Sequence, residues 1–286
     1  MLRLEFLLPI STFQRMKLIQ INLLLILSLL SACAQKIIDT DPIPNHQTIK
    51  IESKIIGETR TINIWTPENY QTNTNSLPVL YMPDGGVKED FPHIANTLAK
   101  LIKAKKIAPL ILVGIENTQR RRDLTGPTTV AKDKEIAPMV GGSEKFSAFI
   151  KNELFSEINK RYRTTSEKGI IGESLAGLFV TETFLQHPNL FDYYIAFDPS
   201  LWWNDQHLTK NATALLANFT TNPKRFWFAA SNTIDIAPNV NQFAEILAGK
   251  NIPNLKWKHV NAPKEKHHTI YRATKEEAII WTLNAK

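Results

Sequence analysis

The segment Gly169-Ile170-Ile171-Gly172-Glu173-Ser174-Leu175-Ala176-Gly177-Leu178-Phe179 sets a serine between a short apolar run and a helix-forming stretch. A serine at a sharp strand-to-helix turn is the setting of a nucleophile elbow. Such a turn needs small neighbours, and Gly172 and Ala176 flank Ser174 where glycine is the usual choice. Alanine in the second position is a departure that its small side chain tolerates. The structural alternative is a serine N-cap at an ordinary strand–helix junction. A serine hydroxyl is a weak nucleophile alone and needs a base within hydrogen-bond reach. The base is expected after the last strand, near the C-terminus. Of the seven histidines, His267 and His268 in Glu265-Lys266-His267-His268-Thr269 occupy that place. The acid is expected after the strand that precedes the histidine strand, here Arg225–Ala230, which makes Asp235 the nearest carboxylate. A purely turn-stabilising Asp235 is the alternative.

Acyl transfer at Ser174 requires N–H donors for the tetrahedral oxyanion. The backbone of Leu175 is one expected donor. The other is expected at Gly85-Gly86, directly after the apolar run of residues 78–82, where a tight surface turn is the alternative. Trp202 and Trp203 lie one loop beyond the serine, as a pocket wall or as core. Arg120 and Arg122 are candidates for binding an anionic or catechol-like substrate, or else for pairing with Asp123 and shaping their loop.

Elements that position these residues can be read from hydrophobic periodicity. Residues 47–56 and 59–66 alternate and are β-branched, a hairpin around Gly57-Glu58. Residues 78–82 and 109–115 are continuous apolar runs, as buried strands are. Phe146, Ile150, Leu154 and Ile158 recur at a spacing of four, which predicts a helix over 143–162 with Ser143 as N-cap. Strands at 168–172, 193–197, 225–230 and 255–260 then alternate with helices at 175–186, 207–218, 239–249 and 273–284. This alternation predicts an α/β fold with a mostly parallel central sheet, helices on both faces and an N-terminal antiparallel hairpin. Ligand sites in such sheets lie at the C-terminal strand ends, where every motif above falls.

The chain has 286 residues, 43% hydrophobic and 21% charged, with a net charge of +7. Its one dense basic cluster, Arg120-Arg121-Arg122, is too short to imply a nucleic-acid partner. With Cys33 as the single cysteine, an intramolecular disulfide and cysteine-based metal sites are excluded. Residues 18–32, LIQINLLLILSLLSA, follow Lys17 and read as a signal peptide. Leu30-Ser31-Ala32-Cys33 resembles a bacterial lipobox, which implies lipidation of Cys33. The expected organisation is a lipoprotein signal peptide over 1–32 with a possible true start at Met16, a tether over 33–46 and a catalytic domain over 47–286. The implied location is the bacterial cell envelope, facing the periplasm or the exterior through a membrane lipid anchor. An uncleaved transmembrane anchor is the alternative, although the apolar run is short for a span of ~20 residues.

Residues 172–203, GESLAGLFVTETFLQHPNLFDYYIAFDPSLWW, closely resemble the esterase family that contains enterochelin esterases and S-formylglutathione hydrolases, and most of all its periplasmic enterochelin-esterase branch. The likeness extends to residues 77–85, 114–123 and 161–164. It implies an α/β-hydrolase fold and a serine carboxylic-ester hydrolase acting on a small-molecule ester, possible substrates being siderophores, with no metal or cofactor. The family's Glu-x-His-small-Ser/Thr pattern aligns His267 as the base. Some members look like Ser–His dyads, which leaves a dyad open beside the Asp235 triad. An acyltransferase on the same scaffold and a catalytically silent ligand-binding surface lipoprotein are the remaining alternatives. Oligomeric state is not legible.

Overall fold

The computed structural model describes residues 41–136, 138–217 and 219–285. The expected signal peptide, Met16 and Cys33 lie outside the described residues. The sheet is built from β1 (Gln47–Ser53), β2 (Glu58–Trp65), β3 (Leu77–Pro83), β4 (Ile111–Ile115), β5 (Thr164–Glu173), β6 (Tyr193–Phe197), β7 (Lys224–Ala230) and β8 (Leu255–Asn261). Their spatial order is β1-β2-β4-β3-β5-β6-β7-β8. The pairs β1–β2 and β2–β4 are antiparallel and every other pair is parallel. The architecture is the expected one: an α/β-hydrolase sheet opened by an antiparallel hairpin.

Strand order reverses direction between β3 and β5, so the loops leaving these two strands diverge and leave a crevice at their C-terminal ends. Successive side chains on a strand point to opposite faces, and the two cores follow that rule. Val79, Tyr81 and Ile170 enter one core, and Leu80, Met82 and Ile171 enter the other. The first core is covered by α4 (Ser143–Phe149), a π-helical turn (Ile150–Leu154), α5 (Phe155–Arg161), α6 (Leu175–Gln186), α7 (Trp203–Leu216) and α8 (Ala237–Ala248). The second is covered by α1 (Phe91–Lys103) and α9 (His267–Asn284). Short helices α2 (Arg120–Leu124) and α3 (Ala131–Ile136) lie in the segment after β4.

Helix α1 escapes the sequence reading, although its signal is present. Phe91, Ile94, Leu98 and Leu101 form one buried stripe at spacings of three and four, and Pro92 occupies the first turn, where its missing N–H is harmless. Ser143 does not cap α4: Gly142 holds the N-cap position, and the Ser143 hydroxyl donates to Glu182 Oε1 at 3.1 Å.

Candidate active site

Ser174 joins β5 to α6 with φ 60° and ψ −118°, a region that L-residues rarely adopt. Strain of this kind persists only where the surroundings over-determine it. Here Ser174 N–H donates to Phe197 O at 3.0 Å, and its carbonyl accepts from Leu178 N–H at 2.8 Å and Ser200 N–H at 3.1 Å. Small neighbours are obligatory. A Cβ on Gly172 would stand 2.7 Å from both the carbonyl carbon and the Cβ of Ala176. Ala176 therefore fits because position 172 is glycine. Although Ser174 occupies the N-cap position of α6, its side chain makes no capping hydrogen bond.

The Ser174 hydroxyl instead meets His267 Nε2 at 3.0 Å. On the far side of the ring, Nδ1 lies 3.1 Å from Asp198 Oδ2. An ionised carboxylate can only accept, so Nδ1 carries the proton and Nε2 is left as the base toward Ser174. The His267 side chain is 37% exposed and that of Asp198 is fully buried. His268, its neighbour, is exposed. Of the two imidazoles, the structure brings His267 to the serine.

Asp235, the expected acid, does not meet His267 in the structure, where Asp198 does. Asp235 is exposed, and its backbone carbonyl accepts from Asn239. Asp198 takes the place, from the end of β6 instead of β7. Strand β6 is the hydrogen-bonded neighbour of β5, so the first residue beyond it stands beside the elbow. Asp198 has φ 41°, a positive value uncommon for an L-residue, at the turn that leaves β6. The loop after β7 serves through one main-chain N–H and one side-chain hydroxyl. Ser231 N–H donates to Asp198 Oδ1 at 2.6 Å, and Thr233 Oγ1 accepts the His267 N–H at 3.1 Å. The signal for Asp198 was the chain order Ser–Asp–His together with an aspartate directly after the strand next to the nucleophile strand.

Leu175 N–H is the first of α6, where a helix has no i−4 carbonyl to offer it, so it is available as an oxyanion donor. Gly85 and Gly86 do not present free donors. Gly85 N–H bonds Ile115 O at 3.0 Å, and Gly86 N–H bonds Glu89 Oε2 at 2.6 Å. Gly85 is required by packing, since a Cβ there would meet the Gly114–Ile115 backbone at 2.2–2.4 Å.

Arg120 lies at this strand end but is held by a bidentate pair to Asp84, both contacts 2.7 Å. Arg122 bonds Asp123 Oδ1 and Glu58 Oε1, each at 2.7 Å, while the buried Arg60 takes Asp123 Oδ2 at 2.6 Å. These bonds tie α2 to β2, so Arg122 shapes the loop. Trp203 is core: it is buried, and its indole N–H donates to Gly126 O at 3.0 Å. Trp202 is half-buried beside it, with ring centroids 5.9 Å apart. Among the described residues no group of three or more His, Cys, Asp or Glu could hold a metal ion.

One carboxyl stands apart. Glu173, next to the nucleophile, is pushed up to about 8 by burial and then by the charges of Asp90, Asp198 and Asp84, against the opposing pull of Arg120. It is therefore mostly a neutral acid at pH 7.

Residues 53–269 match the profile of the family described as "Putative esterase". The chain belongs to this family. The chain is 36% identical over 153 residues to the ferri-bacillibactin esterase BesA of Bacillus subtilis, covering 46% of this chain and 51% of that protein. It is 28% identical over 191 residues to the siderophore triacetylfusarinine C esterase of Aspergillus fumigatus, covering 61% and 62%. The chain thus matches about half to under two thirds of the length of these esterases. A solved IroE-like serine hydrolase from Shewanella oneidensis superposes with a TM-score of 0.76 at 26% identity, over 82% of this chain and 79% of that one.

Proposed function

We propose that the protein is a serine carboxylic-ester hydrolase that works through an acyl-enzyme on Ser174. The observation that carries this reading is the continuous Ser174–His267–Asp198 chain, with contacts of 3.0 and 3.1 Å at a left-handed elbow. In the first half-reaction His267 Nε2 takes the hydroxyl proton as Ser174 Oγ attacks the ester carbonyl. Leu175 N–H faces the oxyanion that forms, and Asp198 steadies the imidazolium. Collapse breaks the bond to the leaving alcohol, which receives the proton from His267. A water, deprotonated by the same nitrogen, then releases the acid and restores Ser174.

Siderophore esters are the proposed substrate class, on the strength of relatives named for ferri-bacillibactin and triacetylfusarinine C. A hydrolysis screen over p-nitrophenyl esters and over ferric and iron-free siderophores tests both steps of the proposal. Ser174→Ala should fold, lose turnover of every ester by ~10⁴-fold or more, and no longer react with a fluorophosphonate. Undiminished turnover in that variant would overturn the assignment.

We further propose anchoring of the mature protein through a lipid on Cys33, in the cell envelope. It rests on the Leu30-Ser31-Ala32-Cys33 pattern after an apolar run. Cys33→Ser should abolish incorporation of labelled palmitate and release the protein from the membrane fraction; continued incorporation would rule the anchor out.

A further inference from the structure

Glu173 ends β5 and directly precedes Ser174, in register with Phe197, the residue before Asp198. Its Oε1 is buried with no hydrogen-bond partner among the described residues. The charged and titratable groups around it come from four other elements. They are Asp84 at the end of β3, Asp90 before α1, Asp198 after β6 and Arg120 on α2. From α9, Tyr271 also feels Asp90, Glu173 and Asp84; it is 4% exposed and its hydroxyl too is buried without a partner.

The neighbouring acids are already served. Arg120 clasps Asp84, the His93 ring meets Asp90 at 3.1 Å, and Asp198 is held by Ser231 and His267. Ionising Glu173 would add a further negative charge to this group while Arg120 is already engaged by Asp84. Its proton therefore stays on. A buried carboxyl oxygen with no hydrogen-bond partner is an unfavourable arrangement in a folded protein and calls for a reason. Glu173 is half-buried, not sealed, and it adjoins the reacting hydroxyl.

We propose that Glu173 is a substrate-contacting, specificity-determining residue, whose neutral carboxyl donates a hydrogen bond to an uncharged carbonyl oxygen on the acyl side of the ester bound at Ser174. The proposal rests on the serine-esterase reading. It excludes the more obvious role for a carboxyl group, attraction of a cationic substrate. It also gives the enzyme an alkaline limit that the serine–histidine chemistry lacks, because loss of the Glu173 proton removes the donor and sets a carboxylate against the substrate carbonyl.

The test compares p-nitrophenyl acetate with the p-nitrophenyl ester of N-acetylglycine, which carries an additional amide carbonyl, from pH 6 to 9.5 and corrected for spontaneous hydrolysis. With the N-acetylglycine ester, wild-type kcat/KM should fall about tenfold as pH rises through 8, the worth of one hydrogen bond. Glu173→Gln keeps a neutral donor at every pH, so it should stay within threefold of wild type at pH 7 and lose the alkaline fall. Glu173→Leu should lose about tenfold at pH 7, mainly in KM, and change acetate hydrolysis less. Retention of the wild-type alkaline fall by Glu173→Gln would overturn the proposal. So would undiminished use of the N-acetylglycine ester by Glu173→Leu. Circular dichroism checks folding, and if the leucine variant is unfolded the glutamine pH profile decides alone. Ser174→Ala runs alongside: turnover surviving there refutes the serine-esterase reading itself and not the role of Glu173.

Discussion

The ends of β6 and β7 are adjacent in the sheet and each is followed by an aspartate-bearing loop, yet only one of these aspartates touches His267. Asp198, at once after β6, is fully buried and meets His267 at 3.1 Å. Asp235 lies five residues past β7 on an exposed turn. The β7 loop nonetheless takes part, because Ser231 N–H holds Asp198 and Thr233 Oγ1 holds the backbone of His267. In this molecule the side chain that steadies the base comes from one loop, and the main chain that steadies the acid comes from the next. Distance from the nucleophile strand explains the division: β6 pairs with β5 and β7 does not.

The sharpest way to break this comparison is to exchange the roles of the two aspartates. Asp198→Asn should preserve the shape of the site but favour the wrong His267 tautomer, lowering kcat by ~10⁴-fold. Asp235→Asn should leave kcat within twofold. A large loss in Asp235→Asn, measured by steady-state kinetics on the same ester, would reverse the assignment.

Next in size is the pair of adjacent imidazoles. His267→Ala should lower kcat at least ~100-fold, the range for loss of a general base, whereas His268→Ala should lower it little. Thr233→Val tests the contribution of the β7 loop to the comparison. It removes the acceptor for the His267 N–H while keeping shape, and it should lower kcat several-fold with a Tm change small enough to show an intact fold.

The smallest effect tests a buried acid away from the triad. Burial pushes Glu182 up to about 7, and its Oε2 has no partner. Between its unfolded value near 4.5 and 7, the folded protein binds the extra proton, so stability from this group is full below 4.5 and declines as pH rises through 7. Glu182→Gln should therefore raise Tm relative to wild type at pH 8 and much less at pH 4.5. An equal shift at both values would show that Glu182 titrates normally.

The strained turn at Ser174 was legible because an elbow is a local object. Gly172, Ser174 and Ala176 specify it within five residues, and the buried strand Ile170–Ile171 before it confirms the context. The strand and helix pattern was legible for the same reason, with α1 lost between two better-marked strands although its stripe is regular. Gly85 and Gly86 were misread as free donors because a glycine pair after a strand looks alike whether its N–H groups face a substrate or, as here, Ile115 O and a Glu89 carboxylate. Arg120 and Arg122 were legible as a cluster, but nothing near them in the chain reveals that Asp84 and Glu58 take up their guanidinium groups.

The amino-acid sequence by itself pointed to the fold class and singled out the serine through periodicity and a short motif, and it favoured His267 over His268 through the resemblance of residues 265–269 to a family pattern. Only the tertiary structure decided which aspartate reaches His267, that the Gly85 and Gly86 N–H groups are engaged, and that Glu173 Oε1 is left without a partner. Those depend on which strand ends become neighbours. Ser174, Asp198 and His267 are separated by up to 93 residues, and the hydrogen bonds between them exist only after the order β5-β6-β7 has been set by burial of the two core faces.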